Sequence, residues 1–313
     1  MEKGKADRGQ GITARLWDSS LIQNSASESL QIGQRSEMKG TITMKKLMIA
    51  AAAAFCATVS LAELASANIV GYNTVTLKKG YNMMAVNFGN VSSGAGIALQ
   101  DLIPGTGEGL TGAQSMVTAD QIQVWDSTDG VYTYYYLYKT SLTIPALAAK
   151  NGKWVTQAGV VTDVTFKNGD VFWFKKQGEG DIDVTVSGAV SVLDKEAIEI
   201  KAGYNMIANP FPTAFNPNSL GTDFWSTSGA VGAQAMTTAD QLQVYDSSAE
   251  AYNYYYLYYT SLSVPALKAK NWKWVTQAGA VVEDTAVVIP VGKGAWYKHQ
   301  GEGFTFNISN PTK

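Results

Sequence analysis

Few side chains in this sequence could carry out a reaction, and each has a structural alternative. His299 is the only histidine. A catalytic triad or a histidine-rich metal site needs partners of matching type, and His299 has none near it in sequence. The aligned position earlier in the chain is Lys176, so His299 is expected in a surface loop. Paired carboxylates are the other route to chemistry, because a glycosidase needs two acids flanking the scissile bond. Three acidic positions recur along the chain: Asp120 and Asp240, Asp126 and Asp246, Glu179 and Glu302. The aspartates flank a strand-like run, where Asp favours turns. Glu179 lies in Gly178-Glu179-Gly180, which reads as a turn between strands. Asp126 to Gly130 has part of the oxygen-rich spacing of a calcium loop, without the full ligand series or its terminal glutamate. The glycine-containing run 105–112 lacks the lysine of a phosphate-binding loop and the spacing of a dinucleotide fingerprint. The expectation is a protein that is not an enzyme, with no catalytic residue, metal or cofactor.

The most unusual feature is aromatic. "VYTYYYLYKTS" at 131–141 returns as "AYNYYYLYYTS" at 251–261. Alternate residues of a strand share a face, so Tyr132, Tyr134, Tyr136 and Tyr138 line one side. Stacked aromatics bind sugars, and they also favour strands and fill interfaces. The run pairs with Gln121 to Asp126 as a hairpin through Ser127-Thr128-Asp129-Gly130. A four-residue loop sets Asp126 opposite Val131, Trp125 opposite Tyr132 and Gln123 opposite Tyr134. Ile122, Val124, Val131, Tyr135 and Leu137 then form the core face. Trp125, Tyr132, Tyr134 and Tyr136 form an aromatic surface edged by Gln121 and Gln123. The second occurrence repeats it with Tyr245, Tyr252, Tyr254 and Tyr256. These eight aromatics are the candidate ligand-binding residues, facing a sugar, a partner or the sister module.

The elements that position them come in two copies. Gly112 to Gly159 aligns without gaps to Gly232 to Gly279, with 34 of 48 positions identical. Beyond that block the offset shifts to 123, matching Gly80-Tyr81-Asn82-Met83 to Gly203-Tyr204-Asn205-Met206 and Trp173 to Trp296. Such self-similarity marks tandem modules, here 68–188 and 189–313. Period-two alternation predicts strands over 74–77, 81–86, 171–175 and 182–187, and in the second copy over 197–200, 204–208, 294–298 and 304–308. A short helix is predicted over 96–102, before Pro104. The fold class expected is all-β: two tandem homologous antiparallel modules, sandwich-like or small barrels, with seven to nine strands each.

The segment before the modules reads as a leader. Met44-Lys45-Lys46, an apolar run from Leu47 to Leu61 and Ala65-Ser66-Ala67 form a signal peptide over 44–67. Cleavage after Ala67 leaves Asn68 as the mature start. Residues 1–43 are polar and patternless, an untranslated or disordered upstream segment. From residue 68 on there is no cysteine and no arginine. That part carries 24 − 8 = 16 Lys against 26 − 6 = 20 acidic residues, a net of −4. Without a cationic patch or a guanidinium clamp, nucleic acid is not expected as a partner, and no membrane span is expected after cleavage.

"GYNMIANPFPTAFN" at 203–216 resembles the "GWNLIGNPFPS"-type segment of repeated β modules in secreted and surface proteins of Bacteroidetes and Planctomycetes–Verrucomicrobia-type bacteria. In that family a hairpin follows, matched here by Gln241 to Asp246 with Tyr252 to Tyr258. A late "GeGFwV" strand is matched by Gly292-Lys293-Gly294-Ala295-Trp296-Tyr297. The first copy departs from the pattern: Val86-Asn87-Phe88 lacks the proline pair, and Gly169-Asp170-Val171 lacks the second glycine. The resemblance implies export and a surface or extracellular location, the periplasm included, and carries over no catalytic residues. The expected function is structural and non-enzymatic, with glycans or other envelope proteins as partners. The alternatives are a carbohydrate-binding or adhesive protein using the tyrosine strands, and an outer-membrane β-barrel.

Overall fold

The computed structural model describes residues 69–91, 96–311 and 313. The signal peptide and cleavage site expected over 44–67, and Asn68, lie outside the described residues. The first module contains β1 (Val70–Leu77), β2 (Gly80–Ala85), β3 (Ile97–Ala98), β4 (Gln121–Asp126), β5 (Val131–Tyr138), β6 (Lys153–Thr156), β7 (Thr165–Phe166), β8 (Val171–Lys176) and β9 (Ile182–Ala189). The second contains β10 (Lys195–Ile207), β11 (Gln241–Asp246), β12 (Ala251–Tyr258), β13 (Lys273–Thr276) and β14 (Ala295–Ser309). They form four antiparallel sheets in a sandwich-like all-β fold, with no closed barrel among the described residues. Of the helix predicted over 96–102, only Leu99–Leu102 is helical, and Ile97–Ala98 before it is strand.

The recurring Gly-Tyr-Asn explains how each module bends its first strand. Gly80 and Gly203 take φ of 87° and 83°, the left-handed region that glycine enters without a steric penalty. Two residues on, Asn82 accepts from Lys78 N at 2.8 Å and donates to Lys78 O at 2.7 Å. Asn205 does the same to Lys201 at 2.9 and 2.8 Å. The side chain thus satisfies backbone groups that the kink takes out of the ladder. In the first module the kink separates β1, paired with β9, from β2, paired with β8. In the second it is a bulge within β10, whose two halves both pair with β14. Merging of this kind in β10 and β14, with the β3–β7 pair reduced to a single bridge between Phe215 and Ile289, leaves five strands where seven to nine were expected. It also places Glu302, the counterpart of Glu179, inside β14.

The central hairpin has the register that its loop length requires. Asp126 pairs with Val131, Trp125 with Tyr132 and Gln123 with Tyr134, and β11 and β12 repeat this pairing. Asp126 Oδ1 accepts from Thr128 N at 2.7 Å and Asp246 Oδ1 from Ser248 N at 2.8 Å, so these carboxylates fix the turn. The loop does need one left-handed residue. Gly130 supplies it at φ 67°, and Glu250 is held there at φ 50°.

Ile122, Tyr135 and Leu137 enter the first module's core beneath β1, β3 and β7, together with Val75, Phe166 and Trp154. Val131, expected on that face inside the core, is 52% exposed, because the hairpin tip extends past the ribbons that cover the sheet. The second module builds its own core from Leu242, Leu257, Trp274, Tyr297 and Phe306.

Candidate functional site

The opposite faces of the two five-stranded sheets carry the tyrosine ladders, and their inner ends meet each other. Trp125 stands edge-on to Tyr132 at 4.9 Å and to Trp296 of the second module at 5.5 Å. Tyr245 stands edge-on to Tyr252 at 5.1 Å and to Trp173 of the first module at 5.1 Å. Tyr245 is the counterpart of Trp125, and Trp296 of Trp173. Each module therefore presents the same two positions and receives the other's, the reciprocity of a two-fold interface. Met83, Ala85 and Val171 pack with Ala208 and Trp296 in the same buried cluster. Edge-to-face aromatic pairs contribute about 0.5–1.5 kcal/mol each beyond their buried area.

Polar bonds fix the register across this seam. Trp125 Nε1 donates to Tyr204 O at 2.9 Å, and Lys201 Nζ bonds Thr128 Oγ1. Asn87 donates to Asn209 O at 2.6 Å and accepts from Gly292 N at 2.9 Å. Asn87 occupies the place of Pro210 in the second copy, so the departure from the proline pair supplies a bridging amide.

The outer ends are covered differently. Tyr136 and Tyr256 are buried beneath their own modules' 113–118 and 233–238 loops, with hydroxyls donating to Gln114 O and Gln234 O at 3.4 Å. Gln121 and Gln123, expected at an exposed edge, are buried. Gln121 donates to Met116 O at 2.7 Å and Gln123 to Gln121 at 3.2 Å. Tyr134 and Tyr254 lie between the two regimes, half-buried. The ladder expected as an open surface is thus half seam and half covered wall. Trp173 and Trp296 belong to it as well, beyond the eight aromatics expected from the sequence. The signal in the sequence is their identity at offset 123, and the pairing of Gln123 with both Tyr134 and Trp173 puts that ring on Tyr134's face.

Beside the seam lies a cleft of about 480 Å³, lined by Tyr245, Asp246, Asn253, Lys293 and, from β1, Thr74 and Lys78. Burial holds the Lys293 amine below the usual lysine range, opposed by the nearby Asp246 charge. The counterpart of Lys293 is Asp170, in a smaller cavity of about 210 Å³ beside Trp125 and Met206. Burial raises its carboxyl above the usual range. The larger cleft combines an aromatic ring with amine, amide, carboxyl and hydroxyl groups, a set suited to a polyhydroxylated ligand.

His299 is not a surface residue. It points inward from β14, and its Nδ1 lies 2.9 Å from Asp240 Oδ2. Tyr297 Oη donates to the same carboxyl at 2.8 Å, as do Gln300 N at 2.8 Å and Val231 N at 3.0 Å. Both His299 and Asp240 side chains are wholly buried. The Nε2 that a general base would present to a substrate has no hydrogen-bond partner among the described residues and faces Gly301, where a Cβ would come within 2.8 Å. The trio closes a loop onto the sheet. In the first module Asp120 likewise accepts from Thr111 N at 2.8 Å and Gln177 N at 2.7 Å. Burial raises its carboxyl against those bonds and the nearby Lys176 charge.

Comparisons with protein-family models, curated proteins and solved structures find no match.

The buried phenols give the fold a pH signature. Burial raises Tyr132, Tyr135, Tyr136, Tyr245, Tyr252 and Tyr256 above the usual phenol range, and Tyr297 well above it. Above pH 10 the unfolded chain has lost phenolic protons that the folded chain retains. The folded state then binds more protons, and stability falls as pH rises. For Tyr297 alone the slope approaches about 1.4 kcal/mol per pH unit between pH 10 and its raised value. Melting temperatures between pH 8 and 11.5 should drop steeply above 10, and a flat profile to pH 11 would contradict this account.

Proposed function

We propose that this chain is an exported, non-enzymatic β-repeat protein of the cell surface or extracellular space, whose two modules act as one rigid unit. The observation that carries this reading is the reciprocal aromatic seam. Its rings are spent on holding one module against the other, the role of a spacer or display scaffold rather than of a reaction site. The absence of cysteine from residue 68 on fits the same role, since two separate apolar cores supply the cohesion that small exported domains often take from disulfides. The test is the N-terminal sequence of material secreted by cells expressing the full chain. A start at Asn68 supports export, and residues from 1–43 in that material would overturn it.

A second reading, carbohydrate binding or adhesion, is favoured by the cleft beside Tyr245. A glycan array probed with the full chain and with Asn253→Ala separates the two. Binding lost in the variant, with its melting temperature unchanged, would favour the second reading over the first. Among the described residues no helix is long and apolar enough to cross a membrane.

A further inference from the structure

Trp272 enters β13 with a left-handed backbone, φ 61°, a region that disfavours every residue bearing a Cβ. Its counterpart, Gly152, has φ 70°. Both make the same bond, Gly152 N to Tyr138 O at 3.0 Å and Trp272 N to Tyr258 O at 2.7 Å. The backbone at this position asks for glycine, and the first module supplies it. The second supports an indole there instead. The ring lies 4.8 Å from the Tyr259 ring and covers Gly232, where a Cβ would come within 3.1 Å of it. Packing of Trp272 against the module's core offsets the backbone strain.

The first module carries neither ring. Gly152 stands for Trp272 and Lys139 for Tyr259. The space over Gly112, the counterpart of Gly232, is an open groove of about 270 Å³. Its walls include Leu110, Leu137 and Tyr138, with Lys139 and Asn151 also lining it. An ammonium at residue 139 suits the face of an aromatic ring, as the Tyr259 ring suits Trp272. We infer that this groove is a binding site for an aromatic side chain of a partner polypeptide, tryptophan above others, and that Trp272 is the built-in occupant of the equivalent site in the second module. The site lies apart from the aromatic seam and the Tyr245 cleft, so it stands independently of both readings of function.

The test uses the full chain labelled with ¹⁵N and titrated with N-acetyl-L-tryptophanamide. Saturable amide shifts are expected at Gly112 and Gly152, with none at Gly232 in the same molecule. Trp272→Gly should add a second set of shifts at Gly232. Gly152→Trp combined with Thr106→Ser should weaken binding at least tenfold. The serine removes the Thr106 methyl, which lies 3.1 Å from an ideal Cβ at 152. Equal shifts at Gly112 and Gly232 in the unaltered chain, or no shifts at all, would overturn the proposal. So would unchanged binding in a folded Gly152→Trp variant, or methyl glucoside producing the same shifts at lower concentration, which would make the groove a carbohydrate site.

Discussion

Replacing Asp240 with alanine should destabilise the protein by about 3–5 kcal/mol, the range expected when one member of a buried paired set is removed. The carboxyl is the common acceptor for Tyr297 Oη, Gln300 N and Val231 N, and it holds His299 Nδ1 at 2.9 Å. Both side chains of the His299–Asp240 pair are fully buried, so bulk water does not reach the donors in the folded chain. Each orphaned donor carries a desolvation penalty of about 1–3 kcal/mol, and partial relaxation of the 231–240 loop keeps the total below their sum. The first module shows how the same aspartate is accommodated differently. There Phe174 replaces Tyr297, and Lys176 replaces His299, turning its Nζ to Gly178 O at 2.6 Å. The double variant Tyr297→Phe/His299→Lys should therefore cost far less than Asp240→Ala, about 1–2 kcal/mol. Urea unfolding of the three proteins decides the matter. Asp240→Ala within 1 kcal/mol of the unaltered chain would show that the carboxyl is not the closing acceptor described here.

Much of this architecture is legible in the sequence because the repeat supplies an internal control. The hairpin register follows from a four-residue loop between two period-two runs, and both copies obey it. What was hidden is which face each run buries. Alternation separates two faces but does not say what covers each, and here both are covered, one by the module's own ribbons and the other by the sister module or a loop. Trp125 and Tyr132 therefore read as surface when they are seam, and Gln121 as an edge when it is buried. His299 was misplaced for a related reason. Its counterpart Lys176 suggested solvent, yet Lys176 is itself only 1% exposed, its amine satisfied by turn carbonyls. Burial of these side chains depends on Asp120 and Asp240 reaching the same spot from about 60 residues away, which local sequence patterns do not reveal. The candidate site was legible as a set of aromatics and not as a geometry, since the reciprocal contact arises only when the two sheets face each other.

Introducing valine at Gly294 should pry the modules apart. Gly294 is the counterpart of Val171, and the two meet across the seam. A Cβ on Gly294 would fall inside the van der Waals envelope of the Val171 side chain. The glycine is not required by its backbone, for its φ is not among the positive ones. The first module thus supplies a knob and the second a hole at one symmetry-related position. Two valines would overlap, and two glycines would leave a void. Gly294→Val alone should cost about 1–3 kcal/mol or more through overpacking, and it should shift tryptophan emission to the red as Trp296 and Trp125 gain solvent. Val171→Gly alone should cost about 2 kcal/mol through the cavity it leaves. The exchange Val171→Gly/Gly294→Val transposes knob and hole and restores their total volume. It should recover at least half of the summed losses, a coupling well above the few tenths of a kcal/mol expected for independent sites. Additive losses in the double variant would mean that the two positions do not share the space assigned to them, and the reciprocal seam would then need a different register.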